Sequence, residues 1–267
     1  MKRFLVSLAL ALVVSAGAAN AQQPAPGQTY SVETRPGVQV PYFAVWRDDA
    51  VATLVLFSGG AGGFGRLEPG APWPRSNNFL LRSAPLFAQQ PFNIVLMGRA
   101  SDTRDLDLSI RIGATHLADN QAVLRAIRQR SVAPIWLVGT SRGTVSVAEL
   151  AIHDPEHLVS GLVVTSSIVA PRATGALPTL DLARVQVPTL VVHHEHDACR
   201  LCSPSGVPWI MRGLSNVPVK ARQLVSGGEE QATGDACEAL HTHGYIGIEP
   251  KVVELISQWV LKPTALE

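Results

Sequence analysis

The sequence lacks any concentrated run of lysine or arginine, and its formal net charge is only +1 over 267 residues. Nucleic acids and acidic membrane surfaces both favour proteins that carry a concentrated basic face. The chain is therefore predicted not to bind nucleic acid. Residues 22–28, rich in proline and glutamine, are predicted to form a flexible leader, and no internal repeat or low-complexity block follows them. We expect residues 29–267 to form a single domain.

Long apolar runs are also scarce, and the one that is present lies at the N-terminus. Two basic residues, Lys2 and Arg3, precede an almost unbroken run of apolar and small residues that leads to Ala-Asn-Ala at residues 19–21. The run is shorter than the roughly 20 residues that cross a bilayer, and small-x-small is the pattern that signal peptidase cleaves. The pattern predicts a signal peptide over residues 1–21, cleaved after Ala21, and a periplasmic or secreted protein with no stable membrane span.

The rest of the chain alternates strand-like and helix-like segments, which is typical of the α/β class. Most strand-like segments are continuous apolar runs, as expected for parallel strands covered on both faces. The sequence predicts a mostly parallel central sheet with helices on both faces, preceded by an antiparallel hairpin over residues 30–46. The predicted strands are residues 51–57, 92–97, 134–138, 162–165, 187–192 and 220–225, and the predicted helices are residues 116–128, 145–152, 208–214 and 250–261.

The strongest motif is the pentapeptide Gly-Thr-Ser-Arg-Gly at residues 139–143, which has the form G-x-S-x-G. It lies between a predicted buried strand and a helix, the context in which this motif forms a sharp turn. Such a turn lifts the hydroxyl of Ser141 above the sheet edge, and the two flanking glycines leave room for it. The N-terminus of the following helix favours negative charge near the serine. The motif predicts a nucleophilic serine, and the alternative is a glycine-rich turn with an incidental serine.

A serine hydroxyl is a weak nucleophile that needs a base, and the base needs an acid to hold it. Two predicted strands after Ser141 lead to suitable side chains. Residues 193–197 read His-His-Glu-His-Asp, and residues 241–245 read His-Thr-His-Gly-Tyr directly before the last helix. In hydrolases with this serine turn the order along the chain is serine, acid, histidine. The candidates are Glu195 and Asp197 for the acid, and His241 and His243 for the base.

These features together resemble the α/β-hydrolase family, from the first predicted parallel strand to the last helix. The resemblance rests on the Gly-Thr-Ser-Arg-Gly turn, on an aspartate shortly after the next strand but one, and on a His-Gly-aromatic turn before the terminal helix. It implies the α/β-hydrolase fold and a serine hydrolase in which Ser141 is the nucleophile, Asp197 the acid and His243 the base. Glu195 and His241 remain the alternatives for the acid and the base.

A developing oxyanion needs two backbone N–H donors. In this family one donor is the residue after the nucleophile, here Arg142. The other comes from the loop after the first parallel strand, and residues 58–64 read Ser-Gly-Gly-Ala-Gly-Gly-Phe. This segment resembles the family's glycine-rich loop, except that Ser58 stands where a histidine is usual, and Gly60 or Ala61 is the expected donor. A phosphate-binding loop is excluded because no Lys-Ser/Thr follows the glycines.

Only three cysteines are present, Cys199, Cys202 and Cys237, and export to an oxidising compartment permits a disulfide between two of them. Cys199 closely follows Asp197, and Cys237 shortly precedes His243. If the acid and the base meet, their loops are neighbours and the two sulfurs are carried together. We therefore expect a disulfide between Cys199 and Cys237, with Cys202 as the alternative to Cys199.

A metal or redox site at residues 193–202 is a rival hypothesis, because three histidines and a Cys-Arg-Leu-Cys segment lie close together there. A structural zinc site needs a full set of ligands at suitable spacing, and a thioredoxin-like Cys-x-x-Cys comes early in its fold, whereas this one comes late. No metal or cofactor is therefore predicted. A non-catalytic binding protein with the same fold is the second rival, which the serine, acid and histidine in the correct order disfavour.

The connection between residues 169 and 184, where such hydrolases usually carry a lid, is short and contains two prolines. It is predicted to form a minimal lid beside an open, shallow pocket. That pocket suits small esters, or acyl groups exposed on a larger substrate, better than long acyl chains. The sequence thus predicts a carboxylesterase, with a serine peptidase or another acyl hydrolase as the alternative.

Overall fold

The structure of the protein is a computed structural model that describes residues 26–228 and 234–265. The predicted signal peptide, residues 1–21, and leader residues 22–25 lie outside the described residues. The first strand begins at Gln28, the last residue of the predicted leader. No described helix is long and apolar enough to cross a membrane.

The described residues form one mixed sheet of eight strands: β1 (Gln28–Arg35), β2 (Val38–Val45), β3 (Ala52–Phe57), β4 (Phe92–Met97), β5 (Ile135–Thr140), β6 (Val159–Thr165), β7 (Thr189–His194) and β8 (Lys220–Val225). Their order across the sheet is β1-β2-β4-β3-β5-β6-β7-β8. β1 and β2 form the predicted antiparallel hairpin, and β2 also runs antiparallel to β4. The remaining pairs are parallel, which confirms the predicted mostly parallel sheet.

The described residues also contain seven α-helices: α1 (Phe79–Arg82), α2 (Ala84–Phe87), α3 (Leu108–Arg111), α4 (Ala114–Arg130), α5 (Gly143–Ile152), α6 (Val207–Gly213) and α7 (Glu249–Leu261). The four longer helices, α4 to α7, lie where the sequence predicted helices. The other three have four residues each. A segment of that length is about one helical turn, which is too short to show a helical period, and none of the three was predicted.

Helices cover both faces of the sheet, as predicted. On one face Val55 of β3 belongs to the same apolar cluster as Val123 of α4 and Val147 of α5. On the other face Leu54 of β3 belongs to the cluster that contains Ile256 of α7. Successive strand residues point to opposite faces, so the continuous apolar runs of β3, β4 and β5 are buried at every residue.

The sheet changes direction at its centre. β3 pairs with β4 on one side and with β5 on the other, so the chain crosses from one half of the sheet to the other after β4. Ligand clefts of open α/β sheets lie outside the carboxyl ends of the strands at such a point. The glycine-rich loop follows β3 and the serine turn follows β5, and the two loops are neighbours because Phe57 pairs with Gly139.

Candidate active site

Ser141 lies in the turn between β5, which ends at Thr140, and α5, which begins at Gly143. Its backbone φ is 52°, in the left-handed region that residues other than glycine seldom adopt. A Cβ at Gly143 would lie 2.1 Å from the carbonyl oxygen of Phe57, so only glycine lets α5 begin this close to β3. The strained turn presents the serine side chain to a cleft at the carboxyl edge of the sheet.

Asp197 and His243 form a direct hydrogen bond, with 2.8 Å between Nδ1 of the imidazole and Oδ2 of the carboxylate. Asp197 follows β7, His243 lies in the short 3-10 helix Thr242–Gly244, and both are buried. The backbone N–H of Cys199 donates to the other carboxylate oxygen at 2.9 Å, and the hydroxyl of Ser166 donates to the carbonyl of His243 at 2.8 Å. These contacts hold the carboxylate and the ring in one arrangement, in which Nδ1 carries a proton.

The second ring nitrogen of His243, Nε2, is buried and hydrogen-bonds to no described group. Because Nδ1 carries the proton, Nε2 has a free lone pair that can accept another. Ser141 and His243 line the same cleft. Hydrogen bonds between a nucleophile and its base are often loose until substrate binds. The structure therefore brings together the three residues that the sequence singled out for nucleophile, base and acid.

The two alternatives for the acid and the base have different surroundings. The side chain of Glu195 is 43% exposed, and its carboxylate lies 3.3 Å from the exposed imidazole of His196. His241 is buried directly before the 3-10 helix, and its Nδ1 has no hydrogen-bond partner in the part of the chain that the structure describes. The buried contact between a carboxylate and an imidazole is that of Asp197 with His243.

Two further histidines are buried at the end of β7 and hydrogen-bond to the backbone. Nε2 of His193 accepts the N–H of Ser167 at 2.7 Å, and burial lowers the pKa of His193 to about 4. Nε2 of His194 lies 2.9 Å from the carbonyl oxygen of Gly227. The sequence showed a polar cluster after the predicted strand. The structure shows that the first two histidines of this cluster belong to β7 and hydrogen-bond to the backbone of neighbouring loops.

The glycine-rich loop reaches the serine from the opposite side of the cleft. Gly59 and Gly60 line the cleft, and a Cβ on Gly59 would lie 3.4 Å from Oγ of Ser141. Within the described residues, the N–H groups of Gly59, Gly60, Ala61 and Arg142 have no acceptor. Such amides are the donors that an oxyanion requires. Ala61 does not line the cleft, whereas Gly59, which the sequence did not single out, does.

The cleft over these residues has a volume of about 380 Å³. Its polar lining includes Asn77 and Asn78, which precede α1, and Glu238, whereas Phe79 and Leu240 supply apolar surface. The segment with Glu238 and Leu240 leads directly to the 3-10 helix of His243. The cleft thus contains a nucleophile candidate, an oriented imidazole and unbonded amides within a mixed polar and apolar wall.

Many solved structures share this architecture, whereas no family model and no curated protein matches the chain by sequence. A cold-adapted esterase from an Arctic intertidal metagenomic library matches with a TM-score of 0.60 at 16% identity, covering 87% of this chain and 93% of that one. The dienelactone hydrolase of Anabaena variabilis matches with a TM-score of 0.61 at 17% identity, over 90% and 98% of the two chains. An α/β serine hydrolase without lid from Xanthomonas campestris matches with a TM-score of 0.59 at 15% identity, again over 90% and 98%. The chain has the α/β-hydrolase fold.

In this α/β-hydrolase fold the predicted lid is minimal. The connection between residues 169 and 184 contains two 3-10 helices, Leu177–Thr179 and Leu182–Arg184. Both helices insert an apolar residue into the cluster that α5 shares with the sheet. Every residue of this connection is described, and none lines the cleft. The two 3-10 helices pack against α5 and α6, and the connection does not cover the cleft.

The structure contains the expected disulfide between Cys199 and Cys237, and Cys202 is a buried thiol whose pKa is raised by burial. One ligand atom each of Cys199, Cys202 and His243 lies within 4.8 Å of the others. The sulfur of Cys199 is already bonded to Cys237, so it cannot serve as a thiolate ligand. A redox motif needs an exposed thiolate of lowered pKa, whereas the thiol of Cys202 is buried and its pKa is raised. These facts disfavour the rival metal or redox site.

Sequence reasoning missed Arg111, the largest fully buried side chain among the described residues. Arginine is rarely buried completely, and Arg111 ends α3, a helix of four residues with no periodic signal. It stands in no motif. Asn77 and Asn78 also stand in no motif, because a polar pair before a short helix is typical of a surface turn.

Proposed function

We propose that this protein is a serine hydrolase, a carboxylesterase that acts through Ser141, His243 and Asp197 and forms an acyl-enzyme. The observation that carries the proposal is the 2.8 Å hydrogen bond between His243 and Asp197 beside the cleft in which Ser141 occupies its left-handed turn. Backbone strain persists where the surrounding structure enforces it, and it concentrates at functional sites. A buried, oriented imidazole next to such a serine is the arrangement of nucleophilic catalysis.

The acylation step follows from this geometry. Nε2 of His243 accepts the proton of the Ser141 hydroxyl while Oγ attacks the carbonyl carbon of the ester. Asp197 keeps Nδ1–H oriented and stabilises the imidazolium that forms. The carbonyl oxygen becomes an oxyanion that accepts hydrogen bonds from the N–H of Arg142 and from the glycine-rich loop. The imidazolium then gives its proton to the leaving alcohol, and the acyl group remains on Ser141.

Deacylation repeats the same steps with water as the nucleophile. His243 removes a proton from water as the oxygen attacks the acyl-enzyme, and it returns the proton to Oγ of Ser141 when the acid product leaves. No metal or cofactor is needed for either half of the reaction, because the imidazole supplies the proton transfers and the amides stabilise the charge.

The preferred substrates are small esters, or acyl groups exposed on a larger molecule. A volume of about 380 Å³ lies near the lower end of small-molecule sites, which span about 300–1,000 Å³. The connection between residues 169 and 184 offers no apolar cover for a long acyl chain. Two structural neighbours are named as an esterase and a dienelactone hydrolase, which supports ester hydrolysis as the reaction class.

We also propose that the protein works outside the cytoplasm, in the periplasm or after secretion. Disulfides persist in oxidising compartments, and the structure contains one between Cys199 and Cys237. The predicted signal peptide over residues 1–21 gives the route. Cell fractionation tests the location, and N-terminal sequencing of the exported protein tests cleavage after Ala21.

A substrate panel tests the reaction class. We expect p-nitrophenyl esters of short acyl groups to be hydrolysed with the highest kcat/KM, and activity to fall as the acyl chain lengthens. Aminoacyl amides run in parallel distinguish a peptidase, since an esterase leaves them uncleaved. A protein that cleaves none of these compounds and does not react with a fluorophosphonate is the non-catalytic binding protein, and the proposal is wrong.

The nucleophile is tested by Ser141→Ala, with Ser257→Ala as the matched control because Ser257 is a buried serine of α7 that does not line the cleft. We expect Ser141→Ala to remain folded, to lose fluorophosphonate labelling and to lose on the order of 10⁶-fold in kcat. Ser257→Ala should keep both. A Ser141→Ala protein with wild-type hydrolysis would show that another residue is the nucleophile.

A further inference from the structure

Arg111, the last residue of α3, is a buried cation without a carboxylate partner. The residue is 1% exposed, and no carboxylate of the described chain lies within ion-pair distance of its guanidinium. Burial lowers its pKa to about 9, which leaves the group charged at neutral pH. A buried charge is unfavourable unless hydrogen bonds offset its lost hydration, so the groups that surround Arg111 have to supply them.

Four hydrogen bonds surround the guanidinium. Nε donates to the carbonyl of Leu106 at 2.9 Å, and one terminal nitrogen donates to the hydroxyl of Ser146 at 3.0 Å. The other terminal nitrogen donates to two carbonyls at 3.2 Å each, those of Ser58 and Gly60. The last two carbonyls belong to the glycine-rich loop, so half of these bonds act on the segment that supplies the unbonded amides.

The bonds of the loop carbonyls determine where the loop amides point. The carbonyl of Gly59 accepts the N–H of Gly62 at 3.0 Å. The described peptide bonds are all trans, so each N–H points opposite to the carbonyl that precedes it. The guanidinium therefore orients the amides of Gly59 and Ala61, and the turn between its two bonds orients the amide of Gly60.

The hydroxyl of Ser146 that accepts from the guanidinium is itself part of a larger group of hydrogen bonds. The hydroxyl of Ser146, which accepts from Arg111, lies 3.0 Å from Nε2 of His116, and the side-chain amide of Asn120 lies 3.0 Å from the same nitrogen. Both neighbours can donate to this nitrogen, and burial lowers the pKa of His116 to about 4, so the ring is a neutral acceptor at pH 7. These contacts connect the glycine-rich loop to α4 and α5.

We propose that Arg111 is the positioning residue of the oxyanion loop: its bond to the carbonyl of Ser58 turns the amide of Gly59 toward the cleft beside Ser141, and its two bonds together fix the turn that orients the amide of Gly60. The inference rests on the proposed hydrolase function. Glycines have the widest conformational freedom of all residues. The backbone of a loop this rich in glycine therefore has few restraints of its own that would keep its amides in one direction. Oxyanion donors are effective because they are oriented before the reaction, and Arg111 supplies that orientation without contacting the reacting atoms.

The test compares Arg111→Met with Arg128→Met. Arg128 is the matched control because it also donates to loop carbonyls, those of Val132 and Ala133, which precede β5 at the opposite end of the sheet. For each variant, kcat and KM are measured with a short-chain ester, together with the affinity for phenylboronic acid and the Tm. The boronic acid forms a tetrahedral adduct with a nucleophilic serine, and the adduct uses the oxyanion donors.

We expect Arg111→Met to lower kcat by about 10²- to 10³-fold, the effect of losing an oxyanion donor. KM should stay within a few-fold, because ground-state binding does not use these donors. The affinity for phenylboronic acid should fall by a factor similar to that of kcat. Arg128→Met should lower the Tm and leave kcat and boronate affinity unchanged. A merely structural role of Arg111 would lower the Tm in the same way without this joint loss.

Arg111→Lys covers the case in which Arg111→Met does not fold. Lysine keeps the charge but replaces the planar fork by a single donor group, so we expect kcat and boronate affinity to fall together by at least about tenfold. A folded variant of either kind with wild-type kcat, in an enzyme whose wild type is active, overturns the inference alone. A wild-type protein that neither hydrolyses an ester nor binds the boronic acid overturns the proposed function and this inference with it.

Discussion

The two halves of the cleft are both held by hydrogen bonds, but one of them also contains a covalent crosslink. The nucleophile half, which consists of the proposed nucleophile Ser141 and the glycine-rich loop, extends directly from β5 and β3, and Arg111 donates hydrogen bonds to the loop. The acid–base half, which consists of the proposed acid Asp197 and the proposed base His243, lies on the segments that follow β7 and β8, and a disulfide joins these segments. The nucleophile half thus depends on backbone geometry and hydrogen bonds, whereas the acid–base half has a covalent link in addition to its hydrogen bonds.

This difference follows from the path of the chain. Phe57 and Gly139 are paired, so the two loops of the nucleophile half begin one strand spacing apart. β8 ends at Val225, and a long segment separates it from His243. Asp197 and His243 lie on separate segments of the chain, and bringing them together has an entropic cost. A crosslink between the two segments reduces that cost. The acid–base half should therefore respond to redox conditions, while the nucleophile half should not.

The largest expected effect comes from removing the base of the acid–base half. His243→Ala should lower kcat about as much as Ser141→Ala, on the order of 10⁶-fold, because members of a triad act as a unit. His241→Ala is the matched control, since His241 is a buried histidine of the same segment that lacks the contact with Asp197. Steady-state kinetics on a short-chain ester measure both, and the reverse order of effects would make His241 the base.

A smaller effect should follow from breaking the disulfide. The Cys199–Cys237 bond closes a loop with a sequence separation of 38 residues, and chain entropy for that loop suggests roughly 3–4 kcal/mol of stability. We expect reduction to lower kcat by about 10- to 100-fold, as a shift of about 1 Å at the base can do, at temperatures where the domain stays folded. Activity and circular dichroism are measured across a series of dithiothreitol concentrations.

The matched control is the double variant Cys199→Ser/Cys237→Ser, whose activity should equal that of the reduced enzyme and should not respond to dithiothreitol. Fluorophosphonate labelling of wild type in the reduced state should slow in proportion to kcat. If activity is lost only when the circular dichroism signal is lost, the disulfide stabilises the whole domain, and the contrast between the two halves does not hold.

The parts of the fold that sequence predicted are those with signals confined to a few neighbouring residues. The apolar run at residues 92–97 matches β4 without a shift. The strand predicted at residues 187–192 appears as β7, Thr189–His194, because it pairs with β8 up to its last two histidines. The polarity of the two histidines argued against a buried strand. In the structure each imidazole has a backbone hydrogen-bond partner, at Ser167 or Gly227, which allows it to be buried in the strand.

Close packing explains a second boundary error. The strand predicted at residues 162–165 begins earlier, as β6 (Val159–Thr165), and includes Ser160 and Gly161. A Cβ on Gly161 would lie 2.3 Å from the ring of Trp136 on β5. The glycine is therefore present because a large aromatic ring covers that position, and not because the chain turns there. A contact between two strands cannot be read from either segment alone.

Within the candidate site, local motifs indicated the serine turn and the order of acid and base. Arg111 was not predictable, because its role depends on carbonyls of a loop far away in the sequence. Sequence also could not show which glycines of the loop line the cleft. The expected oxyanion donors were Gly60 and Ala61, and Gly59 was not among them. Motifs identify residues that react, whereas the residues that orient them are identified by three-dimensional contacts.

The smallest expected effect compares two histidines, one buried and one half-buried, that lie under the two halves of the cleft. His193 lies under the acid–base half and His116 under the nucleophile half, and burial lowers the pKa of each from 6.5 to about 4. Between pH 6.5 and 4 the unfolded chain binds a proton at each position that the folded protein does not. Stability should therefore fall as the pH falls through this window, by up to about 1.4 kcal/mol per pH unit for each histidine.

His193→Gln and His116→Gln each keep an acceptor near the position of Nε2 and remove the titrating ring. Each variant should make the pH dependence of the unfolding free energy shallower by about one proton between pH 4.5 and 6, and the double variant by about two. His196→Gln is the control, because it replaces a histidine whose side chain is 76% exposed. Urea unfolding at several pH values measures the slopes. If His193→Gln alone alters the slope, the hydrogen-bonded ring of His116 is protonated in the folded state, and the support behind Arg111 differs from the neutral chain of donors and acceptors inferred above.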